Sequence, residues 1–250
     1  MRFIIYPYKM GSASARALSR TLTENAEGNI LRVYPDRTFR SRPDDCIINW
    51  GNTNEPNWDY HEMLNKPEAV ALAVNKLATF EKLKEADVRT VPWTTDINVA
   101  RDWGLVCERH ALRGHSGMGI RVATGDQLQP APLYTKMLVP CEEYSVHVFR
   151  GEIIDYSKKV KRVNDEIITS NDEMIKNKGA GWEYLRDVAP REGVSIRAIA
   201  AVEALGLDFG AVDVIRYKDK SYVLEVGTAA GLSPRGVESY VAKIIEYARQ

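Results

Sequence analysis

The sequence predicts a mixed α/β protein, of the α+β type, with a small N-terminal lobe. Short β-rich runs at residues 3–6, 30–34 and 46–50 flank a helical segment at residues 14–23. After Pro67, apolar residues recur at helical spacing. From residue 105 onward strand-like runs dominate, and helical segments return at 195–205 and 237–249. This order predicts an N-terminal lobe at 1–65, a middle segment at 66–132 and a last segment at 133–250.

The middle and last segments contain most of the predicted elements. Residues 67–88 predict one helix, followed by a short strand at 88–94. Further strands are expected at residues 105–112, 120–123, 133–139, 144–149 and 152–157. Near the C-terminus, AVDVIRY and SYVLEVG lie on either side of the charged turn Lys218-Asp219-Lys220, which predicts a β-hairpin.

Composition excludes several classes of protein. Of the 250 residues, 44% are hydrophobic, which is ample for a packed core. The formal net charge is zero, so no overall field favours nucleic acid or an anionic membrane as the main partner. Cys46, Cys107 and Cys141 are far apart and fit neither a disulfide framework nor a zinc site. Such cysteines fit the reducing cytoplasm best. Because no apolar run approaches the roughly 18 residues of a membrane span, we also expect a soluble protein.

Three glycines in the stretch LRGHSGMGIRVA (residues 112–123) raise the question of a phosphate-binding loop. Glycines let backbone N–H groups approach phosphate oxygens closely. A dinucleotide-binding fingerprint and a P-loop both need a helix directly after the loop, whereas residues 120–123 are strand-like. The loop is therefore predicted to cap a hairpin. It is either a flap that covers phosphates or an ordinary flexible hairpin.

Asp213 and Glu225 are the sole acids in the two strands of the predicted C-terminal hairpin. Buried carboxylates are costly unless they are paired with a cation. If the hairpin places both on one face, a divalent metal held by oxygen ligands is the natural compensation, and magnesium is readily shared with substrate phosphates. In the other interpretation, the hairpin has one solvent-exposed face and both side chains point from it into solvent.

The order of the motifs LVCERHALRGHSGMGI, LYTKML, EEYSVHVFRGEII, LGLDFGAVDVI and YVLEVGTAAGLS resembles that of the ATP-grasp carboxylate–amine ligases, in particular the ribosomal-protein glutamate ligases and the D-alanyl-D-alanine ligases. The helix that contains Asn75-Lys76-Leu77, followed by VRTVPWT, also resembles the start of their nucleotide-binding half. The likeness covers residues 66–250, and the first 65 residues match only as a small α/β lobe. The resemblance implies the ATP-grasp fold, with ATP and Mg²⁺ as cofactors.

The resemblance also implies roles for individual residues. Lys76 matches the lysine that reaches the nucleotide phosphates, and Arg109 stands where the family usually has a second phosphate-side lysine. The remaining matches are the flap glycines and serine (Gly114, Ser116, Gly117, Gly119), the hinge whose backbone meets the adenine edge (Lys136, Met137), the acid that binds the ribose (Glu143) and two magnesium ligands (Asp213, Glu225).

Basic residues follow the strand at 152–156, where the family places groups for the γ-phosphate and the acyl phosphate. We expect the catalytic groups among Arg109, Lys159, Lys161, Lys176 and Asn177, although each of the three lysines fits a solvated surface equally well. The sequence does not identify which basic residue meets the γ-phosphate. One departure from the family is Gly227, where the ligases carry an Asn that completes the metal site.

The activity that the resemblance implies is the ATP- and magnesium-dependent joining of a carboxylate to an amine through an acyl phosphate. Substrates are expected among small molecules, amino acids or peptides. The sequence pattern identifies neither the carboxylate substrate nor the amine substrate. It also does not indicate the oligomeric state. Two alternatives remain open: a kinase-like phosphotransferase on the same fold, and an ATP-binding module without catalysis.

Overall fold

A computed structural model describes residues 1–34, 37–114, 118–163, 166–168, 181–186 and 188–250. Within these ranges the chain forms six α-helices and three β-sheets. No helix in the described part of the chain is long and apolar enough to cross a membrane.

The N-terminal lobe is a parallel sheet of four strands with one helix. Strands β1 (Arg2–Pro7), β2 (Asn29–Arg32), β3 (Asp45–Trp50) and β4 (Met63–Leu64) follow the order β2-β1-β3-β4. Helix α1 (Ala13–Asn25) begins at Ser12, whose hydroxyl accepts from the Ala15 N–H at 3.3 Å. Leu18 and Leu22 of α1 are fully buried, which is the i, i+4 spacing of an inward helix face.

The long helix predicted over residues 67–88 is wrong at Asn75, because the structure has two helices there. Helix α2 (Pro67–Val74) ends at Asn75, which has an extended backbone, and α3 (Lys76–Glu85) begins directly after it. The Asn75 side chain accepts from the Ala78 N–H at 3.3 Å and so caps α3, a role that Asn favours. The break makes Lys76 the first residue of α3, and its N–H donates to the Leu112 carbonyl at 3.0 Å.

The middle sheet carries the glycine loop. Its strands β5 (Trp93–Thr94), β6 (Leu105–Arg109), β7 (Ile120–Thr124) and β8 (Leu133–Lys136) follow the order β5-β8-β6-β7, and α4 (Ile97–Arg101) precedes β6. Strands β6 and β7 are antiparallel neighbours, so the loop caps a hairpin as predicted. Strand β8 lies past the predicted boundary at residue 132 and yet belongs to this sheet. The division into three segments stays a prediction.

The large sheet forms the floor of the candidate site. Its strands are β9 (Glu142–Phe149), β10 (Glu152–Val163), β11 (Glu166–Ile168), β12 (Trp182–Leu185), β13 (Phe209–Tyr217) and β14 (Lys220–Gly227). The order is β11-β10-β9-β13-β14, and β12 also pairs with β10. Helices α5 (Glu192–Ala204) and α6 (Pro234–Ala248) complete the segment. The predicted C-terminal hairpin is confirmed as β13 and β14.

Alternation along the strands gives the large sheet two different faces. In β9, Tyr144, Val146 and Val148 are buried in one core with the inner face of α5. The residues between them in sequence are polar and lie on the opposite face, because successive side chains of a strand alternate. This polar face is the one on which the site is built.

The N-terminal lobe is joined to the large sheet by aromatic packing. Trp50 of β3 stacks on Phe209 at 5.4 Å between ring centroids and meets Tyr240 of α6 edge-on at 5.3 Å. Asn65 adds a polar link, since its side-chain oxygen accepts from the N–H groups of Asp208 and Phe209. The lobe is therefore held against the end of β13 that leads into the site.

Candidate active site

Backbone register arranges the polar face of the large sheet in cross-strand rows. One row runs across β10, β9, β13 and β14 as Ser157, Ser145, Asp213 and Glu225. The next row runs across the same strands as Asp155, His147, Ala211 and Gly227. Residues two apart in a strand lie on the same face of the sheet, so both rows lie on the polar face.

Asp213 and Glu225 are direct partners in the register of β13 and β14. Their side chains are 31% and 41% exposed, and both line a cavity, so they are half-buried and do not simply point into bulk solvent. Each faces one lysine: Lys159 Nζ lies 3.6 Å from Asp213 Oδ2, and Lys76 Nζ lies 3.6 Å from Glu225 Oε1. The hairpin thus brings two carboxylates and two ammonium groups together, as the sequence pattern indicated for the acids.

Lys159 is the most enclosed cation of this group. Its Nζ also donates to Oε1 of Glu143, and the side chains of both residues are only 9% exposed. Burial by itself lowers the pKa of an ammonium group, but the carboxylates of Asp213 and Glu143 outweigh that effect and raise the pKa of Lys159. Lys159 is therefore a permanent positive charge beside the carboxylate pair at neutral pH.

Lys76 connects the carboxylate pair to the glycine loop. Its Nζ donates to the Gly114 carbonyl at 3.0 Å while it faces Glu225. At the other end of the loop, Gly119 has a φ of +69°, and a Cβ built there would lie 2.9 Å from the Ala111 backbone nitrogen. Gly119 is therefore required by the geometry of the hairpin end. The predicted site residues Ser116, Gly117, Lys176 and Asn177 lie outside the described residues.

Arg109, Lys136 and Met137 lie in or next to the middle sheet. Arg109 is buried, and its Nε donates to the Thr135 hydroxyl at 3.2 Å. The N–H groups of Lys136 and Met137 donate to backbone carbonyls, of Pro92 at 2.8 Å and of Leu105 at 3.0 Å. Because these two N–H groups already have partners, a nucleotide base at this point would have to hydrogen-bond with the carbonyl oxygens of Lys136 and Met137 or with the N–H of a later residue. Their roles toward nucleotide stay predictions.

Two further polar residues near the cleft were not identified from the sequence. His147 and Asp155 are each a polar residue among apolar neighbours in a strand of the large sheet, which is the sequence signal that singled out Asp213, and both are buried. The Nδ1 of His147 lies 3.3 Å from the Tyr240 hydroxyl, and burial lowers the pKa of this imidazole. Of the predicted basic residues, Lys161 lies on β10, where its register partners are Trp182 of β12 and Ile168 of β11.

The carboxylate pair lies where two cavities meet. One, of about 870 Å³, extends along the polar face of the large sheet past His147 to Arg186. The other, of about 650 Å³, is bounded by the loop before α1 and by Lys76 and Gly114. Glu225 and Gly227 line both. The volumes are in the range of small-molecule sites.

The donor set at this junction fits magnesium held by few protein ligands. In the described part of the chain, no group of three or more His, Cys, Asp or Glu side chains could hold a metal ion. Magnesium, however, is commonly bound by one or two carboxylates together with water and substrate phosphates. Asp213 and Glu225 supply two such carboxylates, and Gly227 supplies no side-chain ligand.

Comparison with solved structures places this architecture among known folds. A D-alanine–D-alanine ligase from Bacillus anthracis superposes with a TM-score of 0.66 at 13% sequence identity, over 99% of this chain and 97% of that chain. The ATP-grasp ligase PsnB, complexed with minimal precursor, Mg and ADP, gives 0.70 at 12% identity, over 99% and 97%. The macrocyclase MdnC from Microcystis aeruginosa MRC, bound with precursor peptide MdnA, gives 0.62 at 10%, over 98% and 99%.

The chain therefore has the ATP-grasp fold, which confirms the fold that the resemblance implied. No protein-family model matches the sequence, and no curated protein sequence matches it either. At these identities the likeness establishes the fold alone.

Proposed function

We propose that this protein is an ATP- and magnesium-dependent ligase that joins a carboxylate to an amine. The observation that carries this proposal is the pair Asp213 and Glu225, each faced by a lysine, at the junction of two cavities on the ATP-grasp fold. Solved structures of this fold include ligases with Mg and ADP bound, which supports ATP and Mg²⁺ as the cofactors.

The proposed chemistry overcomes the inertness of a carboxylate toward amines. A carboxylate oxygen attacks the γ-phosphorus of ATP, the bond to the β-phosphate oxygen breaks, and ADP leaves. The amine nitrogen then attacks the acyl carbon, phosphate departs with the C–O electron pair, and the nitrogen loses a proton. Such steps require positioning and fixed positive charge around the migrating phosphoryl group more than any other contribution from the protein.

The residues of the cleft suit that requirement. Lys76 and Lys159 supply two fixed positive charges on opposite sides of the carboxylate pair. Asp213 and Glu225 would hold magnesium, which when bound neutralises phosphate charge. Each lysine faces one carboxylate of the pair at 3.6 Å. A phosphate oxygen could replace that carboxylate as the partner of the ammonium group, so that no buried charge is left unpaired.

A nucleotide-binding module without catalysis is the second candidate. The observation that favours it is Gly227, since the position offers no side-chain oxygen to complete a metal site. With two carboxylates alone, nucleotide could bind while the phosphoryl transfer stays slow.

Turnover with trapping of the intermediate decides between these functions. The protein is incubated with ATP, Mg²⁺ and pooled amino acids and peptides, ADP is measured, and products are identified by mass spectrometry. Hydroxylamine in a parallel reaction converts an acyl phosphate to a hydroxamate. We expect ADP, a condensed product and a hydroxamate, all lost in Asp213→Asn. ATP binding without metal-dependent ADP formation would favour the binding module, and a stable phosphorylated product would favour a phosphotransferase.

A further inference from the structure

His147 of β9 lines the larger cavity and has one ring nitrogen free. Its Nδ1 lies 3.3 Å from the Tyr240 hydroxyl of α6, whereas its Nε2 has no hydrogen-bond partner in the described part of the chain. Among the same residues, the only buried side-chain nitrogen or oxygen atoms without a partner are Trp58 Nε1 and Arg186 Nε. The His147 Nε2 is not one of them, so this nitrogen has surface that is open to the cavity.

The contact with Tyr240 determines which ring nitrogen carries the hydrogen. Burial raises the pKa of Tyr240, so its hydroxyl keeps its proton at neutral pH. Within the described residues, the hydrogen-bond partner of this hydroxyl is His147 Nδ1 and no other atom. Because a buried donor without an acceptor costs free energy, the hydroxyl donates to Nδ1. Burial also lowers the pKa of His147, so the ring is neutral and its one N–H is at Nε2.

Strand register places His147 one row beyond the carboxylate pair. Along β9, Glu143, Ser145 and His147 follow one another at two-residue intervals, so successive rows are about 7 Å apart. Ser145 is the partner of Asp213 in β13, and His147 is the partner of the small residue Ala211. The predicted ribose acid, the predicted magnesium ligand and His147 therefore lie in sequence along one face of the sheet.

This sequence puts the acyl group of the intermediate in the His147 row. With the ribose on the Glu143 side and the transferred phosphoryl group at the carboxylate pair, the acyl group bonded to that phosphorus lies on the side away from ADP. Of the other three residues in the row, Ala211 and Gly227 have no polar side chain, and the Asp155 carboxylate only accepts. His147 is thus the side-chain N–H donor of this row.

We propose that His147 is a catalytic residue whose Nε2–H donates to the acyl oxygen, with Tyr240 as the positioning residue that holds the donor tautomer. This inference rests on the proposed ligase function. When the amine nitrogen forms its bond to the acyl carbon, the C=O π electrons move to the oxygen, and the N–H stabilises that negative charge. The electron pair then returns, the bond to phosphate breaks with its electrons on the phosphate oxygen, and the nitrogen releases a proton to water.

The tautomer is measured directly and without any substrate. The chain has four histidines, so long-range ¹H–¹⁵N correlation spectra of histidine-labelled protein resolve each ring, and loss of one set of signals in His147→Gln assigns the residue. We expect the Nε2–H tautomer at neutral pH in wild type. Tyr240→Phe keeps the ring but lacks the hydroxyl, and it should give a mixture of both tautomers. An Nδ1–H tautomer in wild type would overturn the proposal.

Separation of the two half-reactions is the second measurement. ATP, Mg²⁺ and pooled amino acids and peptides are mixed with each variant, and first-turnover ADP and condensed product are followed over time. In His147→Phe we expect unchanged first-turnover ADP and condensation slowed about 100-fold, as for removal of one oxyanion donor, with kcat and kcat/KM for the amine lowered together. His147→Gln keeps an amide N–H and should lose less. Tyr240→Phe retains the imidazole and should show the same selective loss to a smaller extent, which makes the test independent of whether phenylalanine is accepted at position 147.

His61→Phe is the matched control, because His61 is an exposed residue of the N-terminal lobe, and both half-reactions should keep the wild-type rate. A thermal melt confirms that each variant is folded. Condensation at the wild-type rate in folded His147→Phe, beside normal ADP formation, overturns this inference alone. No ADP formation by wild type overturns the ligase function, and the catalytic role of His147 is overturned with it.

Discussion

Replacement of Lys159 by methionine measures how strongly the carboxylates of the site depend on its buried cation. The Lys159 ammonium group hydrogen-bonds Glu143 and lies 3.6 Å from Asp213. Because the pKa of Lys159 is raised in the folded protein, its contribution to stability is complete below the unfolded pKa of about 10.4 and is lost only as pH rises through the higher folded pKa. At pH 7 the whole contribution is present.

The expected loss of stability follows from burial. Removal of one partner of a buried ion pair typically costs about 3–5 kcal/mol, since the other charge stays buried. Most of this loss should come from Glu143, because its side chain is only 9% exposed and its charge would stay buried without the lysine. The side chain of Asp213 is 31% exposed, so water partly solvates its charge. Methionine preserves the aliphatic stem, so little cavity is created. We therefore expect Lys159→Met to lower the free energy of unfolding by about 3 kcal/mol.

Urea unfolding at pH 7 is the assay. Lys82→Met is the matched control, because Lys82 pairs with Glu85 at the surface with exposures of 44% and 68%, and we expect a loss below about 1 kcal/mol. The double variant with Glu143→Gln should recover part of the loss, with a coupling free energy of about 1–3 kcal/mol. A loss below about 1 kcal/mol for Lys159→Met, or strict additivity in the double variant, would refute the reasoning.

Four further predictions concern other parts of the fold. Arg109→Ala should weaken ATP binding by about 1–3 kcal/mol in a titration of the folded protein, and unchanged affinity would remove Arg109 from the phosphate site. Gly119→Ala should lower stability by about 1–2 kcal/mol in a thermal melt, since alanine is strained at a φ of +69°; an unchanged melt would contradict this. Burial alone would raise the pKa of Glu108, but hydrogen bonds from the Gln129 N–H and Arg121 lower it, so this carboxylate contributes stability that is lost as pH falls below about 4.3. Urea midpoints at pH 3–7 should therefore fall less steeply toward low pH in Glu108→Gln than in wild type, and parallel curves would disprove it. Gly227→Asn should lower the magnesium concentration that metal-dependent ATP turnover needs.

The local parts of the site were predictable from the sequence because they depend on short-range rules. Strand alternation and a charged turn were sufficient to place Asp213 opposite Glu225 in one hairpin. The absence of a helix after the glycine loop was sufficient to assign it to the tip of a hairpin. Both depend on residues close together in sequence.

The remaining parts depend on register between distant strands. The contact of Lys159 with Glu143 requires the alignment of β9 with β10, which contains a bulge between Ile153 and Asp155. Sequence alone does not fix such a bulge, because one extra residue reverses the faces beyond it. The contact of His147 on β9 with Tyr240 on α6 joins two elements that only the folded chain brings together. The helix break at Asn75 did have a local signal, since Asn is a preferred N-cap, but the unbroken apolar pattern outweighed it.

Gly227 has two consequences that one substitution can separate. It supplies no side-chain ligand to a metal at the carboxylate pair, and it also lines both cavities, so a side chain at this position would take up space where they adjoin. A Cβ at this position would meet only the Ala211 carbonyl at 3.6 Å, an ordinary contact, so asparagine should be accepted without loss of stability. Its oxygen would add a magnesium ligand, and its bulk would take up part of that space. We therefore expect Gly227→Asn to lower the magnesium concentration for half-maximal turnover and to raise the KM for the proposed amine substrate, with Asp213→Asn as the inactive reference. An unchanged or raised magnesium requirement would mean that a side chain at position 227 adds no ligand to the metal site.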